Sequence, residues 1–311
     1  MLSVKHLIDT YSLTADDITQ ILDTAASFES VNNRAIKKVP ALRGRTIVNL
    51  FLEPSTRTKS SFELAEKRLS ADSLSMGGST SSVVKGESLA DTIQTISAMN
   101  VDMFVCRAKL AGTPQRITEN TDAVVINAGD GKHQHPTQAM LDLYTIRKSF
   151  GHLDGLKVAI VGDLAHSRVC GSLAPALKTM GAEVTLVGPP TFQVDDPDWF
   201  GCPQTASLDD VIEDMDVVYM LRVQLERMEG AAIPSRREYN RLYGLDMTRV
   251  NRMKPGAIIC HPGPMNRGME INADVADCAR SRILNQVNAG VLTRMAEMYL
   301  LLGGENNGLS A

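Results

Sequence analysis

A chain of 311 residues, 43% hydrophobic and 22% charged, is long enough for two domains and apolar enough for a large core. A net charge of −4 leaves no electrostatic footprint for nucleic acid, and the opening MLSVKHLIDTYSLTADD holds no apolar stretch of signal-peptide or membrane-anchor length. The five cysteines, Cys106, Cys170, Cys202, Cys260 and Cys278, make an odd set without a C-x-x-C pair, which points to a reducing compartment and a cytoplasmic α/β protein.

The first predicted element is a helix over 14–28, opened by the capping-box-like Thr14-Ala15-Asp16-Asp17. The apolar run 46–52 reads as a buried strand, and a helix over 59–70 follows it with Phe62, Leu64, Ala65 and Leu69 spaced for one face. Between them stand Pro54, Ser55, Thr56, Arg57 and Thr58. A helix mouth leaves backbone N–H groups unpaired and partly positive; here it gains hydroxyls and a guanidinium fork that matches phosphate oxygens. Taken singly, Ser55 is as readily an N-cap and Arg57 a surface charge. Taken together after a strand, they favour an anion, although the Walker pattern G-x-x-x-x-G-K-[ST] is absent.

Next come a strand over 72–76, a small, polar, Gly-rich loop over 75–88 that carries Lys85, and a helix over 87–99. Loops this long inside a compact domain are usually functional or disordered. Strands over 103–107, ending in Arg107, and over 123–127 lead to GDGKHQHPTQ and a helix over 136–149. His133-Gln134-His135 suggests a metal pair, but no third ligand stands nearby, so no metal is expected. His135 and Gln138, three residues apart, better suit a hydrogen-bonding pair facing one ligand; alone, His135 is equally a loop histidine serving a carbonyl.

The turn GHLDG, 151–155, divides the strands four and four. Beyond it lie strands over 156–162, 183–188, 217–221 and 257–260 and helices over 168–180, 207–214 and 281–301. Continuous apolar strands alternating with helices predict α/β architecture with two doubly wound parallel-sheet domains, 1–150 and 151–285; one eight-stranded sheet is the alternative. VGDLAHSRVCGSL lacks the full G-x-G-x-x-G, and the following strand does not end in an acidic residue, so a nicotinamide cofactor is not expected. Arg168 in a first helical turn opposes the helix dipole, a conflict that an anionic ligand removes. Arg222 and Gln224 share one side of their strand by period-two alternation, and HPGPMNRG, 261–268, offers chiefly carbonyls. In parallel α/β sheets ligands bind beyond the carboxyl ends of the strands. That rule makes Arg57, Arg107, Arg168, Arg222 and the loop's Lys85 available to one crevice, where one phosphate and two carboxylates would neutralise them.

Phe51-Leu52-Glu53-Pro54-Ser55-Thr56-Arg57-Thr58 resembles the carbamoyl-phosphate signature of the aspartate and ornithine carbamoyltransferases. The resemblance continues in order through Lys85-Gly86-Glu87-Ser88-Leu89-Ala90-Asp91-Thr92, Arg107, His135-Pro136-Thr137-Gln138, Arg168, Arg222-Val223-Gln224 and His261-Pro262-Gly263-Pro264. It covers nearly the whole chain. The aspartate branch fits best, with F-x-E-P before STRT where the ornithine branch has a lysine, and without the H-C-L-P turn of that branch.

The resemblance implies a homotrimer with shared active sites. The first domain would take carbamoyl phosphate, the second L-aspartate, and a C-terminal helix, 286–311, would return to the first. Ser55, Thr56, Arg57, Thr58 and Arg107 would hold phosphate; Thr58, Arg107 and His135 would polarise the carbamoyl oxygen. Gln138 and the carbonyls of Gly263 and Pro264 would hold the carbamoyl amine, and Arg168, Arg222 and Gln224 the aspartate. Ser81 and Lys85 would reach in from a neighbouring subunit. Surrounding cations are expected to keep His135 neutral. No cofactor is implied; a dihydroorotase or regulatory chains are partners the family admits. Two departures stand out: Lys59 where arginine is frequent, and Gly263 where the H-P-L-P form has leucine. The competing expectations are an inactive carbamoyltransferase-like scaffold and a carbamoyltransferase for another amino acid.

Overall fold

The structure is a computed structural model that describes residues 2–32, 34–77, 87–196, 201–224 and 235–303. The chain divides into two compact units, Met1–Tyr144 with Asn288–Ala311, and Thr145–Val287. Among the described residues there are two separate sheets, of four and of five strands, and every strand pair in both is parallel. The single eight-stranded alternative is thereby excluded.

The first unit opens with α1 (Ala15–Ser27), where the expected capping box is complete. Thr14 Oγ1 accepts from Asp17 N at 3.1 Å, and Asp17 Oδ2 accepts from Thr14 N at 2.9 Å. After the short α2 (Glu29–Asn32) come β1 (Thr46–Phe51), α3 (Thr56–Leu69), β2 (Asp72–Gly77), α4 (Leu89–Ser97), β3 (Met103–Ala108), α5 (Thr113–Thr118), β4 (Val124–Asp130) and α6 (Pro136–Phe150). The strand order is β2-β1-β3-β4. Val48, Leu50, Phe104, Cys106 and Val125 pack with Ile93 and Ile96 of α4, so one face of the continuous apolar strands is covered by a helix. β2, at the edge, is largely exposed and correspondingly polar.

The second unit contains β5 (Lys157–Val161), α7 (Arg168–Thr179), β6 (Glu183–Val187), β7 (Gln204–Thr205), β8 (Val217–Met220), α8 (Arg236–Tyr243), α9 (Met247–Arg252), β9 (Ile258–Cys260) and α10 (Ala273–Ala276). Its strand order is β7-β6-β5-β8-β9. Ala159, Val161, Val218, Met220 and Ile259 pack with Leu208, Ile212, Val250 and Val275. The helix expected over 207–214 is instead a turn followed by a single 3₁₀ turn, Ile212–Asp214. Asp209 is engaged there by Arg249 and Arg252, both at 2.7 Å. Leu208 and Ile212 are still buried, which is why the apolar spacing resembles a helical face.

The last described helix, α11 (Ile283–Leu301), runs from the second unit into the first. Within the first unit Arg294 donates to Ser61 Oγ at 2.7 Å and lies 4.9 Å over the Phe62 ring, so this helix closes over α3. No described helix is long and apolar enough to cross a membrane.

Candidate active site

In a doubly wound sheet the ligand crevice opens where successive connections leave in opposite directions, beyond the carboxyl ends of the strands. In the first unit the chain goes from β1 out to β2 and then back across to β3, so that point lies between β1 and β3. Phe51 of β1 is in register with Arg107 of β3, and Leu52 N donates to Arg107 O at 2.8 Å. The chain then turns through Glu53, Pro54 and Ser55 into α3, which begins at Thr56.

Ser55 occupies the N-cap position of α3, but its side chain makes no capping hydrogen bond. Ser88, Ser167 and Ser235, at the same position of α4, α7 and α8, each accept from a backbone N–H. The simple N-cap role for Ser55 is therefore excluded, and no acidic side chain occupies the first turn of α3. Thr56 and Arg57 are exposed and Thr58 is buried. Arg107, 11% exposed at its side chain, donates from Nη1 to Ala128 O at 3.1 Å and has Nη2 3.7 Å from Glu53 Oε1. Glu53, which marks the F-L-E-P stretch, thus supplies a countercharge that fixes the fork at the strand end.

His135 and Gln138 stand at the mouth of α6, with Pro136 in its first turn. His135 is buried, its Nδ1 3.5 Å from Thr137 Oγ1, and its carbonyl accepts from Gln138 N at 2.9 Å. The loop before it is held by Asp130, a residue that sequence reasoning passed over. The fully buried Asp130 carboxylate accepts from Asn127 Nδ2 at 2.8 Å, Gln134 N at 3.1 Å and Gly112 N at 2.7 Å. It also lies 3.2 Å from His133 Nδ1, so the first histidine of the H-Q-H triplet serves the loop. Gly131, at φ 49, would bring a Cβ within 2.8 Å of Ala111 N, which leaves glycine as the residue that fits. Among the described residues no group of three or more His, Cys, Asp or Glu side chains is set to hold a metal ion.

In the second unit the corresponding point lies between β5 and β8. Beyond β5 the chain carries Asp163, His166 and Ser167 before Arg168 opens α7; beyond β8 it carries Leu221 to Gln224. Arg168 is buried and Arg222 half-buried, while Leu221 and Val223 are buried. The strand itself ends at Met220, so the expected alternation survives as a burial pattern in the segment beyond it. Gln224 Nε2 donates to His166 O at 3.3 Å, tying the two loops together. Asp163 is the hinge of this arrangement. It accepts from His166 N at 3.2 Å, from the Gln224 backbone and from His166 Nδ1 at 2.7 Å; burial nevertheless raises its pKa.

The HPGP turn is set by a buried histidine. Gly263 N donates to His261 Nδ1 at 2.8 Å, which places the imidazole proton on Nε2, facing Glu270 Oε1 at 3.2 Å. Asn266 N also donates to that oxygen, at 2.6 Å. Gly263 has φ 63 and precedes a cis bond to Pro264, so a leucine here would need the left-handed region that L side chains disfavour. Ser81 and Lys85 lie outside the described residues.

Each unit therefore presents a cationic, donor-rich loop cluster at its own switch point. The first suits a phosphate beside a small carbonyl group; the second suits carboxylates. Residues 5–148 match the family model "Aspartate/ornithine carbamoyltransferase, carbamoyl-P binding domain", and residues 154–301 match "Aspartate/ornithine carbamoyltransferase, Asp/Orn binding domain". The aspartate carbamoyltransferase catalytic subunit of Thermobifida fusca (strain YX) is 54% identical over 301 residues, 97% of this chain and 96% of the relative. Aspartate transcarbamoylase from Trypanosoma cruzi, solved with N-(phosphonacetyl)-L-aspartic acid, superposes with a TM-score of 0.87 at 29% identity, covering 96% of each chain. Ornithine carbamoyltransferase from Pyrococcus furiosus reaches the same TM-score at 28% identity, covering 97% of this chain and 98% of that one. Backbone likeness alone therefore does not choose the amino acid.

Proposed function

The chain belongs to the aspartate/ornithine carbamoyltransferase family, and from that premise we infer that it transfers the carbamoyl group of carbamoyl phosphate to L-aspartate, giving N-carbamoyl-L-aspartate and phosphate. It is a transferase. The observation that carries the chemistry is the mouth of α3: an N-cap serine whose hydroxyl is not spent on capping, next to Arg107 at the switch point of the first sheet.

The residue roles follow from donor chemistry. Ser55, Thr56, Arg57 and Thr58 offer backbone N–H groups, hydroxyls and a guanidinium to the phosphate, and Arg107 adds a second guanidinium. Thr58, Arg107 and a neutral His135 donate to the carbamoyl oxygen. The deprotonated aspartate amine attacks the carbamoyl carbon; the oxygen becomes an oxyanion, the C–O bond to phosphate breaks, and the departing phosphate takes the amine proton. Catalysis rests on placing the two substrates and on donors aimed at that oxyanion, so the reaction needs neither cofactor nor metal. Gln138 accepts from the carbamoyl NH₂, as do the carbonyls of Gly263 and Pro264. Arg168, Arg222 and Gln224 hold the aspartate through its carboxylates. What supports these assignments is the position of each residue at a strand end or helix mouth of its own unit.

Oligomer and setting belong to the same reading. The protein is a cytoplasmic homotrimer in pyrimidine biosynthesis, with Ser81 and Lys85 serving a neighbour's site and a dihydroorotase or regulatory chains as possible additional partners. Purified protein assayed with carbamoyl phosphate and, in turn, aspartate, glutamate and ornithine tests the function. Aspartate should give the highest kcat/KM, and equal or better use of ornithine would overturn the reading.

A further inference from the structure

Gln138 has a buried neighbour that decides which way its amide faces. Its Nε2 lies 3.0 Å from Asp142 Oδ1, one helical turn further along α6; Gln138 is 8% exposed and Asp142 fully buried. A carboxylate accepts hydrogen bonds and donates none, so the Gln138 atom facing it is the NH₂ group, and Oε1 is turned the other way. Asp142 in turn interacts with the buried guanidinium of Arg294 on α11, whose pKa burial lowers and the charges of Glu297 and Asp142 raise. Arg294 is itself fixed by Ser61 Oγ at 2.7 Å, Gly290 O at 3.1 Å and the Phe62 ring. Arg294 thus supplies a buried countercharge on the same network.

We propose that Asp142 is a positioning residue for carbamoyl transfer: it holds the Gln138 amide with Oε1 toward the bound carbamoyl group, where that oxygen accepts from the carbamoyl NH₂. This rests on the role of Gln138 given above. The opposite amide orientation would set NH₂ against NH₂, donor against donor, and would leave the carbamoyl plane free to turn away from its oxyanion donors. Asp142 does not touch substrate; it acts through Gln138, with Arg294 as its buried countercharge.

A double-mutant cycle separates this from a structural role. Gln138→Ala should lower kcat/KM for carbamoyl phosphate roughly tenfold or more. Asp142→Asn, nearly equal in size, makes both amide orientations available and should lower kcat/KM several-fold, but add nothing in the Gln138→Ala background. Inhibition by inorganic phosphate, which has no carbamoyl group, should be unchanged in all three variants. Wild-type kinetics for Gln138→Ala would remove the role of Gln138 itself. With Gln138→Ala impaired, an additive effect of Asp142→Asn, a parallel loss of phosphate affinity or wild-type turnover would overturn the role of Asp142 alone. Should Asp142→Asn not fold, the exchanged pair Gln138→Glu/Asp142→Asn keeps a carboxylate facing an amide. It should recover activity relative to Gln138→Glu, in which two carboxylates meet, and failure of that folded pair to recover would equally overturn the proposal.

Discussion

Arg57 shows how a single side chain acts once its surroundings are fixed. It is exposed at the second position of α3, with no acidic residue in the same helical turn. Arg57→Ala should leave the fold intact and lower turnover. A charge-assisted contact contributes about 1.5–3 kcal/mol, so a loss of kcat of roughly tenfold to a hundredfold or more is expected. Steady-state kinetics on the folded variant checks it, and near-normal turnover would remove Arg57 from the site. Ser55, Arg57, Arg107, Arg168 and Arg222 were legible because each ends an apolar run or opens a periodic one, where a parallel sheet puts its ligands. Asp130, Asp142 and Asp163 were not, since what singles them out is burial and hydrogen bonding, which no apolar period marks.

Among the elements, α11 carries the clearest pH signature. Glu297 is fully buried there, and among the described residues neither carboxylate oxygen has a hydrogen-bond partner. Burial pushes its pKa up to about 8, against the pull of Arg294. A carboxyl group with a raised folded pKa stabilises the fold fully below its ordinary value near 4.5, and that contribution is lost as pH rises through about 8. Between those limits the slope approaches one proton, about 1.4 kcal/mol per pH unit. Glu297→Gln, which mimics the protonated form, should flatten the dependence of unfolding free energy on pH over this window. Urea titrations of both proteins from pH 5 to 9 would show it, and parallel curves would mean that Glu297 titrates normally. The capping box of α1 and most strands were readable because their signals are local. α8 and α9 were missed because they are short and strongly polar, RREYNRLY and MTRVNR, and bury few of their residues. The false helix over 207–214 had the right apolar spacing, but Arg249 and Arg252 hold Asp209 in a turn.

For the whole molecule, substrate choice is a question of charge. If, as proposed, carbamoyl phosphate is held by Arg57 and Arg107, Arg168 and Arg222 are left for the second substrate. Aspartate brings two carboxylates; ornithine brings one carboxylate and a distal ammonium. Like charges about 4 Å apart at an effective dielectric near 20 cost on the order of 4 kcal/mol, roughly a thousandfold in specificity. Glutamate keeps both charges and should be rejected by misplacement of one methylene instead. Assembly has its own test. If Lys85 serves a neighbour, Arg57→Ala and Lys85→Ala proteins should each be inactive and regain activity when dissociated, mixed and reassembled. Silence from demonstrated hybrids would place the loop in its own subunit. The route of α11 also bears on how the molecule is made. The segment that brings Arg294 to Ser61 and Phe62 is translated only after the entire second unit. At about 5–20 residues per second, the first unit therefore waits on the order of ten seconds on the ribosome with one side of α3 uncovered, so the half of the protein made first is finished last.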